Sequence, residues 1–211
     1  MKIFTIVVLA VLIIWLVASW IAIRSLEEPQ YEKISSNKNY EIRLYKPYII
    51  AETVVSGSYN DALNKGFRNI ADYIFGNNTT SEKIAMTVPV SEDINTTAQS
   101  EKIAMTVPVI NQGDSKERRI SFVMPSKYTL ETIPKPNTSL VTLREVPVKK
   151  MAVLKYNWYT NEKRIKNKSE KLIEKLQKDG IKTIGEFSSA RYNPPFSMPL
   201  LLRNEILIEI E

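Results

Sequence analysis

Two prolines one hundred residues apart constrain this chain more than any other feature. Pro47 and Pro147 each separate an alternating polar–apolar run from a more continuous apolar one. After each pair of runs come an amphipathic stretch and two further short runs. In the first half the periodicity predicts strands at 40–45 and 49–55, a helix over 59–75, and strands at 83–90 and 118–124. In the second half it predicts strands at 141–146 and 150–156, a helix over 162–178, and strands at 190–193 and 204–210. Each alternating strand has one apolar face, and each helix has one apolar stripe that must cover such a face. The expected fold is therefore α+β. It has β-α-β-β written twice, as a pseudo-twofold distorted antiparallel barrel flanked by two helices.

Both helices carry boundary signals. Ser58 with Asp61 three residues on forms a capping box, and Gly76 stands where a helix is left in the αL conformation. The first stripe runs Ala62, Leu63, Phe67, Ile70, Ala71, Ile74. Gly66 interrupts this helix at a cost of ~1 kcal/mol relative to Ala, unless something packs closely against it. The second stripe is Ile165, Leu172, Ile173, Leu176, and its opposite face carries Lys163, Arg164, Lys166, Lys168, Lys171, Lys175 and Lys178.

Ahead of this domain, residues 3–23 are uncharged and apolar, between Lys2 and Arg24. Twenty-one residues at ~1.5 Å each reach ~31 Å, the thickness of a bilayer's hydrocarbon core. The run ends Ser-Trp-Ile-Ala-Ile, a poor cleavage signal with a tryptophan where interfacial aromatics belong. Residues 1–24 are read as a retained single-span anchor, 25–39 as a linker and 40–211 as the domain, with halves at about 40–125 and 140–211. Asn77, Asn78, Asn95, Asn137 and Asn167 each begin an N-x-S/T triplet, which matters only for a domain on the outer side, the orientation adopted here. A decapeptide, SEKIAMTVPV, occurs at 81–90 and again at 100–109. In each copy alternate apolar residues (Ile84, Met86, Val88, Val90; Ile103, Met105, Val107, Val109) predict a strand, and the polar segment between the copies reads as a turn.

Composition removes most chemistry. With no His and no Cys, the chain lacks the commonest general base, thiolate nucleophiles and zinc ligands. Its six glycines form neither a dinucleotide-binding loop nor a P-loop.

The segments YEIRLYKPYIIAETVVSGSYNDALNKGFRNIADYIFG, KIAMTVPV, RRISFVMPSKYTLETIPKP and RYNPPF…LLRNEILIEI occur in one order over about residues 31–211. In these segments the chain resembles the SOUL haem-binding family. The resemblance implies two β-α-β-β repeats and non-catalytic binding of haem or a related tetrapyrrole. One branch of the family carries a histidine proposed as axial ligand where this chain has Leu44. Another is thought to hold haem on a helix face whose Arg, Met and Met match Asn64, Phe67 and Ala71, with a following Lys replaced by Asp72.

A tetrapyrrole site needs an apolar wall, cations or N–H donors for two carboxylates and, optionally, a donor to iron. Phe67, Ala71, Ile70 and Met86 or Met105 are candidates for the wall, in a cleft between the first helix and the sheet. Arg43, Lys65, Arg68 and Lys83 are the nearest cations. Met86, Met105 and Tyr45 are the remaining candidates to face iron. The cofactor-binding set is thus Arg43, Tyr45, Asn64, Phe67, Ala71, Met86 and Met105, with no catalytic residue and no protein-bound metal. The alternatives are a binding module for another amphipathic small molecule or a protein, and a hydrolase using Glu145, Glu205 or Glu209. The basic helix 162–178 is a candidate contact for anionic lipid. Without aromatic residues among its cations, and on a tethered domain, it is not read as a nucleic-acid site.

Overall fold

The computed structural model describes residues 2–24, 26–94, 117–193 and 197–211. The chain begins with helix α1 (Lys2–Arg24). There follow β1 (Tyr31–Ser36), β2 (Glu41–Tyr45), β3 (Tyr48–Ser56), α2 (Tyr59–Ile74), β4 (Val90–Ile94) and β5 (Glu117–Val123). The remaining elements are β6 (Thr142–Val146), β7 (Lys149–Tyr156), α3 (Glu162–Lys178), β8 (Thr183–Arg191), a 3-10 turn at Pro199–Leu201 and β9 (Asn204–Ile210).

Among the described residues, nine strands form one antiparallel sheet in the order β1-β2-β7-β9-β8-β4-β5-β3-β6, curled into a half-barrel. Without β1 the order is a palindrome in which β2, β3, β4 and β5 correspond to β6, β7, β8 and β9. The pseudo-twofold axis passes between β4 and β8. The first strand of each half is exchanged: β2 pairs with β7, and β6 with β3.

The helices cover the convex face. In β3 and β5, Ile49, Ala51, Val55, Ile120 and Phe122 meet Ala62, Ile70, Tyr73 and Ile74 of α2 in one buried cluster. Gly66 explains itself here, because a Cβ built on it would lie 2.5 Å from Ile120 Cγ1 and 2.7 Å from its Cβ. The interface between α2 and the sheet, expected to hold an apolar cleft, is filled by the protein's own side chains. In the second half Ala152, Leu154, Ile206, Ile208 and Ile210 pack on Ile165, Leu172 and Leu176 of α3. The cap of α2 is as the sequence predicts, with Ser58 accepting the Asp61 N–H; α3 is capped by Asn161, whose side chain accepts the Arg164 N–H.

Four local readings change, the simplest being the strand expected at 190–193, which is β8 at Thr183–Arg191. The strand expected at 83–90 is an extended segment outside the sheet. Its backbone is bonded elsewhere, Ile84 N–H to the Ile74 carbonyl and Val88 N–H to that of Glu27, while Thr87 donates to the Val123 carbonyl. Strand pairing starts only at Val90, after Pro89, which has no N–H to give. Residues 31–36, in the stretch read as linker, form β1 against β2, a mostly exposed edge strand whose sequence has no apolar face to announce it. Asn78, one of the N-x-S/T residues, is 1 % exposed, and its amide donates to the carbonyls of Tyr73 and Glu82, so it closes the end of α2. The second decapeptide, with Met105, lies outside the described residues.

Candidate functional site

The concave face of the sheet holds a cavity of about 810 Å³, within the ~300–1,000 Å³ range of small-molecule sites. Pleating decides its walls. Residues alternating with those under the helices point inward: Tyr48 and Ile50 from β3, Ser121 and Val123 from β5, Met151 from β7 and Leu207 from β9. Tyr45 at the end of β2 and Tyr192 just after β8 complete an aromatic corner, with the Tyr45 and Tyr48 ring centroids 6.3 Å apart.

Charges of both signs border this wall. Arg144 reaches Glu52 at 3.0 Å, and Lys149 pairs with Glu209. Asp93 also faces the cavity, and burial, partly offset by Arg119, pushes its carboxyl up to about 6. Burial pushes the Tyr48 phenol up to about 12 and raises those of Tyr45 and Tyr192 as well, so all three remain neutral near pH 7.

Beside the cavity floor lies a buried polar network centred on Glu205 and Arg43, both fully buried. The Arg43 guanidinium donates to both Glu205 oxygens at 3.0 Å, to Tyr45 Oη at 2.8 Å and to Glu41 at 2.7 Å. It also stacks over the Tyr31 ring, 4.4 Å from the centroid. Glu205 accepts further from Tyr192 Oη at 2.6 Å and Arg203 Nε at 2.9 Å. Burial opposes its charge, yet the Arg43 hydrogen bonds and the Arg43 and Arg203 charges hold its carboxyl below the usual range. Glu205 is therefore an ionised structural partner, not a proton donor. Glu209 is paired with Lys149, and Glu145 is exposed.

The six candidate residues that are described do not come together. Tyr45 lines the cavity, and Arg43 sits behind it with its donors engaged. Asn64 and Phe67 are exposed on α2, the Phe67 ring 5.5 Å from Phe122. Ala71 is buried on the same helix, and Met86 is half-buried in the extended segment. Leu44, at the histidine position of one family branch, alternates with Tyr45 and so faces away from the cavity. Asp72 is exposed and accepts from Asn77 at 2.6 Å.

Sequence reasoning missed Tyr48, Met151, Tyr192 and Leu207. One signal was available. The runs 151–154 and 206–208 are apolar on both parities, and strands covered on one face only should alternate. A second sheltered face was implied.

These features define a class: an α+β fold whose half-barrel presents a ligand-sized, tyrosine-lined cavity on the face opposite its helices. Within that class, the chain belongs to the SOUL heme-binding protein family, whose model matches residues 26–209. Among solved structures it is similar to the C-terminal domain of EcmrR, with a TM-score of 0.56 and 10 % identity over 86 % of this chain and 98 % of that one. It is also similar to an uncharacterized conserved protein from Listeria innocua (TM-score 0.54, 10 % identity, 84 % and 94 % covered). A hydrolase from Listeria innocua is similar at TM-score 0.52 and 9 % identity, with the same coverage of 84 % and 94 %. At such identities the likeness is one of fold. None of the curated proteins matches the chain.

Proposed function

We propose that this chain is a membrane-tethered carrier or buffer of haem or another tetrapyrrole, which it binds in the concave cavity without catalysing a reaction. The observation that carries the reading is that cavity: ligand-sized, apolar on its floor, with Arg144 and Lys149 at its border. The donor set fits a flat macrocycle with carboxylates. Tyr45, Tyr48, Met151 and Leu207 supply faces for the ring, and the two cations suit its carboxylates, at the expense of their present partners Glu52 and Glu209. To iron these walls offer the Met151 thioether and the neutral Tyr48 phenol, the Tyr45 and Tyr192 hydroxyls being engaged by Arg43 and Glu205, a weak set that suits a ligand taken up and released. Tethering rests on α1, long and apolar enough to span a bilayer, with Ile3, Phe4 and Ile14 among its exposed side chains. In this reading residues 1–24 anchor the domain, on the outer side, and the cations of α3 meet anionic headgroups.

The test is a hemin titration of the full chain in lipid nanodiscs, with empty nanodiscs subtracted. A shifted Soret band saturating near one equivalent is expected. Ser121→Trp, which fills the cavity, should weaken binding at least ~tenfold, ~1.4 kcal/mol, whereas Phe67→Glu on the outer face of α2 should leave it nearly unchanged. Equal losses would mean adsorption and end the haem reading.

Asp93 and Glu209 on the same wall favour a second reading, an amphipathic cation as ligand. The readings diverge at Asp93→Asn. It should strengthen hemin binding, whereas under the second reading it should weaken binding of a lipophilic dye cation such as rhodamine 6G.

A further inference from the structure

We propose that the loop after β7 and the 3-10 turn before β9 form a second membrane contact, in which Trp158, Tyr159 and Leu200 rest in the interfacial layer of the bilayer that α1 spans. This rests on the tethered reading above and adds how the domain sits on its membrane. The three side chains are 47 %, 56 % and 63 % exposed, large apolar groups facing outward. They are neighbours, because Asn157 Nδ2 donates to the Leu200 carbonyl at 3.1 Å and the Trp158 and Tyr159 rings meet edge-on with centroids 6.2 Å apart.

Their exposure is built, not left over. Trp158 has φ +76°, a conformation that a bulky residue keeps only where its surroundings impose it. Asn204 Nδ2 donates to the Trp158 carbonyl at 2.8 Å, and the Arg164 guanidinium donates to the carbonyls of Tyr159 and Asn157 at 2.6 and 2.9 Å. Two side chains, through three hydrogen bonds, thus hold a loop whose largest groups point into solvent, the reverse of what burial favours.

An independent observation supplies the occupant. Ser19 of α1 is 1 % exposed, and its Oγ accepts the Met198 N–H at 3.1 Å. Ser19 lies five residues before Arg24, where the helix ends, or ~7.5 Å of helical rise. The headgroup layer on each side of a bilayer is ~5–8 Å thick. With Arg24 at the outer edge of the headgroup layer, the 18 residues Lys2–Ser19 cross ~27 Å of the hydrocarbon core, so Met198, bonded to Ser19, lies level with the boundary between headgroups and acyl chains, and Leu200 follows two residues later. Trp and Tyr concentrate at that depth because their rings are apolar and their N–H and O–H groups stay hydrated. The Arg164 guanidinium is occupied by carbonyls, so the contact is apolar and aromatic and should resist salt.

Because the chain has no cysteine, one introduced thiol reports one place. The full chain with Leu200→Cys, and separately Tyr159→Cys, is labelled with an environment-sensitive nitrobenzoxadiazole and reconstituted in phosphatidylcholine vesicles. Leu140→Cys, at an exposed position in the loop before β6, serves as reference. Both probes are expected to be quenched by lipids brominated near the headgroup, and several-fold less by aqueous iodide than the reference, at low and high salt alike. A chain that stays with vesicles through alkaline carbonate, but whose two probes are as open to iodide as the reference, overturns the patch and leaves the anchor. Release by carbonate overturns both.

Discussion

Arg43 donates two hydrogen bonds to Glu205 in a place with no exposure at all; Arg43 has further partners in Glu41 and Tyr45, and Glu205 in Tyr192 and Arg203. Such a pair adds little over an apolar replacement, but removing one member leaves an uncompensated charge in the interior. Glu205→Gln, which keeps the shape and deletes the charge, is expected to cost roughly 3–5 kcal/mol in urea unfolding at pH 7. Its lowered pKa makes that contribution present above the ordinary carboxylate range and lost as pH falls. Asp93 has the opposite sign. Its folded pKa of about 6 exceeds the ordinary 3.8, so the folded state binds more protons between these values and stability declines as pH rises through that window. Asp93→Asn should therefore be more stable than the parent by roughly 2 kcal/mol at pH 8, a shift of about two units discounted for partial exposure, and indistinguishable from it at pH 3.5. Thermal melts at the two pH values measure the difference, and an equal gain at both would contradict the assignment.

At the scale of elements, the contact between α2 and β5 shows why helix propensity alone misleads. Alanine at position 66 would gain ~1 kcal/mol of intrinsic helix stability. Its Cβ would meet Ile120 Cγ1 at 2.5 Å and the branched Cβ at 2.7 Å, and Ile120 is wholly buried. Overpacking of this kind costs ~1–3 kcal/mol, so Gly66→Ala is expected to lower the unfolding midpoint in thermal or urea melts. A midpoint raised by Gly66→Ala would show that the helix can move off the sheet. The extended segment 81–89 teaches a related point: its alternation is that of a strand, but its donors go to Glu27 and Ile74 carbonyls. Periodicity reports a buried face and does not report which partner covers it.

The whole molecule is held together by the exchange of β2 and β6 between halves. A second tie crosses the pseudo-twofold axis on the convex side, where Arg118 of β5 binds Glu92 of β4 at 2.8 Å and Glu162 of α3 at 2.6 Å. Neither half keeps a complete sheet alone. Residues 139–211 expressed by themselves are expected to lack a cooperative melt, and mixing with 26–138 should restore one; a folded single half would refute the exchange as the source of cohesion. Local pattern was enough for the two-repeat architecture, both helices, the Ser58 cap and an apolar N-terminal helix, because periodicity and capping are read within a few residues. Tyr45 was also legible as a candidate, and the two-sided apolar runs at 151–154 and 206–208 hinted at a second face. Long-range packing settled that the interface of α2 is filled, that β1 joins β2 and β4 joins β5 and β8 where polar residues gave no signal, and that Tyr48, Met151, Tyr192 and Leu207 share one wall. Those facts depend on strand register and curvature. These bring residues such as Arg43 and Glu205, 162 positions apart, into contact, and no local pattern encodes that distance.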